Sequence, residues 1–442
     1  MLLFLPIMVA PRVSHAQGVI RDAEIEHTIR TYITPLLEAA DIPPDDVKLT
    51  LLHEPDLNSF VARGEHIFIS TGLLMRSETP DQVKGVLAHE IGHIEGGHLA
   101  RLSGVLDEAR DEAMVGSLFG LAIGLLAGQP GVAMAGSMKA QDIVVKHLLS
   151  FTRTQERSAD QVALNLLDKT HTSARGLLQF FRIIQDEELL SPERQDPYVR
   201  THPLTRDRIE FVEHHVETSK YSNAPIPSKL RAEQDRMVAK LKGFLNPPAQ
   251  TLREFKADDP SIKARYARTI AYFRDSQLDK ALPIMNGLIK QEPNDPWFQE
   301  LKGQMLFENG RVAEALPYYE RCVALRPDEP LLRVGLAHVE IELNQPELNK
   351  KALVNLKKAV GKDRYMPLAW QLSAIAYGRD GQIGMASLAL AEQNLLTGEP
   401  RDAMGQSKKA MHLLKEGSPG WLRAQDLYDT AQRQYKKKRD EE

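Results

Sequence analysis

The stretch Val83-Lys84-Gly85-Val86-Leu87-Ala88-His89-Glu90-Ile91-Gly92-His93-Ile94 decides how this chain is read. Val83, Leu87, Ile91 and Ile94 recur at helical spacing, which predicts an amphipathic helix with one core-facing stripe. Within it, His89-Glu90-x-x-His93 sets two imidazoles one turn apart on one face and a carboxylate beside them. That is a geometry suited to two ligands of a zinc ion with a general base at hand. The histidines fall along the edge of the stripe, so the site is expected at the boundary of the core, partly shielded from water.

A catalytic zinc takes a third protein ligand and keeps one position open. His98 is near in sequence, but the extended motif H-E-x-x-H-x-x-G-x-x-H asks for histidine where Leu99 stands. The third ligand must come from elsewhere. Downstream, Glu156 and Asp160 lie one helical turn apart, leading into the amphipathic run Val162, Ala163, Leu164, Leu166 and Leu167. There Glu156 can ligate while Asp160 orients a ligand histidine from behind.

Working toward the N-terminus, Asp22 to Ala40 carries Ile25, Ile29, Tyr32, Ile33, Leu36 and Leu37 at helical spacing and stops before Pro43-Pro44. It predicts a covering helix. Val47 to Leu52, Ser59 to Ala62 and His66 to Ser70 are short β-rich runs, expected to form a small antiparallel sheet. The apolar start Met1 to Ala10 with Ser14-His15-Ala16 predicts a secretory signal over residues 1–16. Between Glu112 and Lys139 no residue is charged, and Gly116, Gly120, Gly124 and Gly128 repeat every four positions. Residues 113–138 therefore predict a helical hairpin packed near the site or resting on a membrane surface, too short in either half to span a bilayer.

The C-terminal half is built differently. Pro293, Pro296 and Ala281-Leu282-Pro283 recur as Pro327, Pro330 and Ala315-Leu316-Pro317, each displaced by 34 residues. That is the period of tetratricopeptide repeats, antiparallel helix pairs that stack because one pair cannot bury its own apolar face. About five hairpins fit between Ser261 and the charged tail from Lys436. The expected division is a signal over 1–16, a catalytic domain over 17–220, a connecting helical linker over 221–260 and repeats over 261–442.

With 442 residues, 42% hydrophobic, the chain has material for more than one core, which excludes a disulfide-stapled miniprotein or a disordered chain. A net charge of −4 gives no basic footprint for nucleic acid, and Cys322, the one cysteine, excludes an internal disulfide.

Taken together, H-E-x-x-H followed by E-x-x-x-D, preceded by Asn58-Ser59-Phe60-Val61 and by Ile67-Phe68-Ile69-Ser70-Thr71-Gly72-Leu73-Leu74, resembles the M48 peptidases. Thr201-His202-Pro203-Leu204 with Arg208 matches the His-Pro and downstream arginine of that family. The resemblance implies an α+β zincin of the gluzincin type, followed here by an all-α tetratricopeptide-repeat solenoid. It implies one Zn²⁺ held by His89, His93 and Glu156, with Glu90 as the base and Asp160 behind a ligand. His202, supported by Arg208, is then either a donor to the oxyanion or a ligand that closes the open zinc position. An extended client would pair with a free strand edge at Ser59 to Val61 or at His66 to Ser70. The resemblance further implies a periplasmic endopeptidase acting on unfolded or misassembled outer-membrane proteins, with the repeats docking clients or the β-barrel assembly machinery. The competing reading is a non-proteolytic chaperone or adaptor whose metal domain is vestigial.

Overall fold

The short β-rich runs assemble into one four-stranded sheet of β1 (Gly18–Ile20), β2 (Lys48–His53), β3 (Ser59–Ala62) and β4 (His66–Ser70), in the order β1-β2-β4-β3. The structure, a computed structural model, describes residues 18–62, 65–98, 138–188, 196, 198 and 201–441. The expected signal over 1–16 and the glycine-rich segment 113–137 lie outside the described residues.

β1 pairs with β2 and β3 with β4 antiparallel, but β2 and β4 run parallel, with Lys48 opposite His66 and Leu52 opposite Ser70. The sheet is mixed, where an antiparallel one was expected. The cause is the way residues 54–58 are fastened across the end of β4. The Ser70 hydroxyl donates to the Asp56 carbonyl at 2.7 Å, the Thr71 hydroxyl to the Glu54 carbonyl at 2.9 Å, and the Gly72 amide to that same carbonyl at 2.8 Å. A side chain at position 72 would collide with the Pro55 and Asp56 carbonyls, so glycine is required for this close approach. Leaving β2, the chain crosses the end of β4 before it forms β3, and β4 is left in the middle.

Helix α1 (Ala23–Ala39) buries Ile29, Tyr32, Ile33, Leu36 and Leu37 completely. Ser70 caps α2 (Thr71–Arg76), and Thr79 with Gln82 forms a reciprocal capping box at the start of α3 (Pro80–Glu95), where Pro80 supplies a preset backbone angle. α3 carries the H-E-x-x-H motif. It is buried on nearly every side, from Pro80 to Gly92, instead of lying at a core boundary. Two glycines allow this: Gly85 faces the backbone of Leu177 on α5 (Arg175–Glu188), and Gly92 faces that of Ala159 on α4 (Met138–Lys169), both too close for a Cβ. α6 (Arg206–Thr218), capped by Thr205, and α7 (Ser228–Leu245) follow. The chain divides into two units, one running to Leu241 and the other beginning at Lys242 and taking in Asp22–Glu24.

The second unit opens with α8 (Pro248–Glu254) and then holds, among the described residues, five helical hairpins. They are α9 (Ile262–Arg274) with α10 (Leu278–Gln291), α11 (Pro296–Glu308) with α12 (Val312–Leu325), α13 (Pro330–Glu342) with α14 (Pro346–Lys362), α15 (Pro367–Arg379) with α16 (Ile383–Leu396), and α17 (Pro400–Leu413) with α18 (Pro419–Glu441). The turn inside successive hairpins repeats in detail. Ser276, Gly310, Asn344 and Gly381 adopt φ of +58°, +75°, +51° and +74°, and each donates its amide to the carbonyl three residues earlier. Small apolar residues such as Ala315, Ala337, Ala352 and Ala376 let the helices stack closely, as an all-α tetratricopeptide-repeat solenoid requires.

One buried acid interrupts this core. Glu340 on α13 is 2% exposed and accepts a hydrogen bond from Asn355 Nδ2 at 3.0 Å, while Arg333 Nη1 donates to Asn355 Oδ1. Burial pushes the Glu340 carboxyl from 4.5 up to about 7, aided by Glu320 and opposed by Asn355 and Lys351. Between these two values the folded chain holds a proton that the unfolded chain has lost. Stability is therefore highest below pH 4.5 with respect to this group, falls as pH rises toward 7, and levels off above it. All three tryptophans, Trp297, Trp370 and Trp421, lie in this unit, so urea unfolding followed by their fluorescence isolates the effect. Glu340→Gln should remove the slope and stabilise the repeats at pH 8 by about 1–3 kcal/mol.

Candidate metal centre

Four elements of the first unit converge on one point. α3 supplies His89, Glu90 and His93, α4 supplies Glu156 and Asp160, the segment before α6 supplies His202, and the first turn of α6 supplies Arg208. The contact at Gly92 brings α3 close enough to α4 for side chains one turn apart on each helix to meet. His89 Nε2 and His93 Nε2 are 3.1 Å apart, and each lies 3.3 Å from a Glu156 carboxylate oxygen. One ligand atom from each of His89, His93, Glu156 and His202 fits within a 4.8 Å cluster.

These residues fit a metal ion. Four ligands around a small tetrahedral cation at its usual bond lengths stand about 3.3 Å from one another, and the nearest donor spacings here are 3.1 and 3.3 Å. The donor set is imidazole nitrogen and carboxylate oxygen. Among the described residues the carboxylate of the fully buried Glu90 is under-satisfied, with the Ser59 side chain its one polar neighbour of hydrogen-bonding kind, as expected of a group whose main partner is a small molecule at the site.

Behind the cluster lies a charged frame. His89 Nδ1 is 2.9 Å from Asp160 Oδ1. Arg208 grips Asp160 through Nε at 2.6 Å and Nη2 at 2.9 Å, and Nη1 lies 2.9 Å from Glu156 Oε2. Nη1 also donates to the Pro203 carbonyl, so Arg208 supports His202 through the adjoining backbone while its charge serves the two carboxylates. Its guanidinium stands over the Phe181 ring, 5.1 Å from the centroid. Burial opposes ionisation of Glu156, yet the Arg208 charge and the bonds from His89 and His93 hold its carboxyl well below the ordinary range. Asp160 is lowered in the same way, against its burial, by Arg208 and His89. Burial would lower His89 too, but the bonds to Asp160 and Glu156 raise it to about 9. Burial raises the Glu90 carboxyl and lowers His202 to about 3, which leaves that imidazole neutral.

Every site residue expected from the motifs is thus brought to one place. Tyr198 had no signal in the sequence, and Thr201 and His98 take parts there that their motifs did not give. Tyr198 stacks on the His202 ring at 4.5 Å with an 18° tilt, and Thr201 Oγ1 lies 2.9 Å from His202 Nδ1. His98, rejected as a ligand, lies behind His93. Of the two strands expected to offer an edge, β4 is paired on both sides and only β3 ends the sheet. Ser59, at the start of β3, is close enough to Glu90 to oppose the rise of its carboxyl.

Comparison with known proteins agrees with this geometry. The β-barrel assembly-enhancing protease of Yersinia pestis is 23% identical over 378 residues, covering 83% of this chain and 75% of that protein. Its Escherichia coli K12 namesake is 23% identical over 383 residues with the same coverage. The mitochondrial metalloendopeptidase OMA1 of Bos taurus is 25% identical over 193 residues, 42% of this chain and 36% of its own. Residues 21–216 match peptidase family M48. Residues 21–216 hold an M48 peptidase domain, and the chain is a metalloendopeptidase.

Proposed function

We propose that the chain is a zinc-dependent endopeptidase of the periplasm that cuts unfolded or misassembled outer-membrane β-barrel proteins. In this reading the catalytic domain spans 17–220, a linker 221–260, and the repeats over 261–442 dock the client or the assembly machinery. The observation that carries the chemistry is the convergence of His89, His93, Glu156 and His202 beside the buried Glu90 carboxylate. The client class is supported by the names of the two bacterial relatives matched over most of both chains. No described helix is long and apolar enough to cross a membrane.

Zinc held by His89, His93 and Glu156 supplies a Lewis acid that polarises a peptide carbonyl and lowers the pKa of water. The protein's own residues do the rest. Glu90 takes a proton from the attacking water at a carboxylate oxygen and returns it to the departing amide nitrogen. Its burial raises its affinity for that proton during the transfer. Asp160 holds His89 with Nε2 facing inward, and Arg208 keeps Asp160 and Glu156 charged. An extended client pairs with the β3 edge, which places its backbone beside Glu90.

His202 acts as the gate. The Thr201 hydroxyl has one proton, which it donates to the Tyr198 carbonyl at 3.2 Å. With that proton so placed, the Thr201 oxygen can accept from His202 Nδ1–H, and in that tautomer His202 Nε2 carries a lone pair toward the cluster. In that tautomer His202 would join His89, His93 and Glu156 in holding the metal, whereas a donor to an oxyanion needs the proton on Nε2. His202→Ala should raise proteolysis, by about tenfold if a tenth of the molecules are open at rest. A fall of about 10²–10³-fold would identify an oxyanion donor instead.

The whole reading is tested by zinc analysis of the purified chain and by cleavage of an unfolded outer-membrane protein before and after chelation. Cleavage lost on chelation and restored by zinc is the expected result. Cleavage indifferent to chelation would sink it.

A further inference from the structure

The two motif histidines are held from behind by different chemistry. His89 has the Asp160 carboxylate at Nδ1. His93 has an imidazole there, its Nδ1 lying 3.0 Å from Nδ1 of His98, with the rings edge to face at 5.0 Å and 79°. His98 is 4% exposed, and its carbonyl accepts from Gln155 Nε2 at 3.3 Å, one residue before Glu156. The mechanism above makes no use of it.

Its position follows from the way α3 ends. The Gly96 amide bonds the Gly92 carbonyl, the Gly97 amide bonds that of Ile94, and Gly97 takes φ of +58°, which turns the chain back over the last helical turn. A Cβ at position 96 would occupy the space of the His98 ring. The Gly-Gly-His ending of the helix thus forms a seat for an imidazole directly behind His93.

Two nitrogens 3.0 Å apart share one proton, so one donates and the other accepts. His93 Nε2 points into the cluster, 3.1 Å from His89 Nε2 and 3.3 Å from Glu156 Oε1. A ligand nitrogen there must present a lone pair, and a neutral ring then carries its proton on Nδ1. We infer that His98 is a positioning residue: its Nδ1 accepts the His93 Nδ1 proton, fixing the tautomer and ring angle that turn Nε2 toward the metal. The inference rests on reading the cluster as a zinc site. His98 does for His93 what Asp160 does for His89, without adding a second negative charge behind the site.

The test is zinc affinity of the full chain, measured by competition with a chromophoric chelator, for wild type, His98→Leu and His98→Asn. Leucine fills the seat without an acceptor, while the asparagine oxygen lies close to the place of Nδ1. His98→Leu should weaken zinc binding about 10–100-fold and His98→Asn no more than about threefold. Long-range ¹H–¹⁵N imidazole correlations of the zinc-loaded wild type should show His93 protonated on Nδ1 and bound through Nε2, a result that needs neither variant to fold. Wild-type affinity in His98→Leu, equal weakening in both variants, or zinc on His93 Nδ1 would each overturn the inference. A wild-type chain that binds no zinc overturns the zinc reading itself, and this inference with it.

Discussion

Glu90→Gln should keep its zinc and its fold and yet hydrolyse peptides about 10²–10⁴-fold more slowly. The substitution preserves the shape of a side chain that is completely buried. What it removes is the basic oxygen that takes the water's proton. His202, with Nε2 3.8 Å from Glu90 Oε1, is a poor substitute, because its tendency to accept a proton is depressed by burial. The measurement pairs metal analysis with turnover on a short peptide. A zinc-loaded Gln variant that still turns over would show that a different base operates.

Arg208→Met should have the largest effect on stability. The guanidinium is the common partner of two buried carboxylates, and breaking a buried ion pair by removing one member costs about 3–5 kcal/mol. In the metal-free chain both Glu156 and Asp160 lose their counter-charge. When zinc is bound, part of that charge is compensated, so the loss in the loaded chain should be smaller. Hydrogen exchange of α4 and α6, with and without zinc, reads the difference. An identical loss in both states would mean that Arg208 acts through its packing on Phe181 and not through its charge.

Those residues were legible in the sequence because helical geometry converts spacing into proximity. H-E-x-x-H and E-x-x-x-D each place two side chains on one face, and the 34-residue offsets of Pro293, Pro296 and Ala281 announced the hairpins. What could not be read depended on contacts distant in sequence. The parallel pairing of β2 with β4 comes from hydrogen bonds of Ser70, Thr71 and Gly72 to residues 54–56, and no alternation pattern encodes them. The depth of α3 comes from Gly85 and Gly92 meeting the backbones of Leu177 and Ala159, which a stripe of apolar residues does not reveal. His98 was visible as a residue but not as a neighbour, because its place depends on the reversal at Gly97. The later repeats slip from the 34-residue period because α14, with 17 residues, is three longer than α10 or α12 with 14.

The order β1-β2-β4-β3 leaves β3 at the margin of the sheet, next to Glu90. If clients enter by pairing with that margin, recognition depends on the client having backbone donors and acceptors to spare, and not on any particular side chain. A β-barrel has such groups only until its first and last strands join. Closure of the barrel would then end its exposure to the peptidase without any signal passing between them, and the time a protein spends unassembled would set its chance of being destroyed.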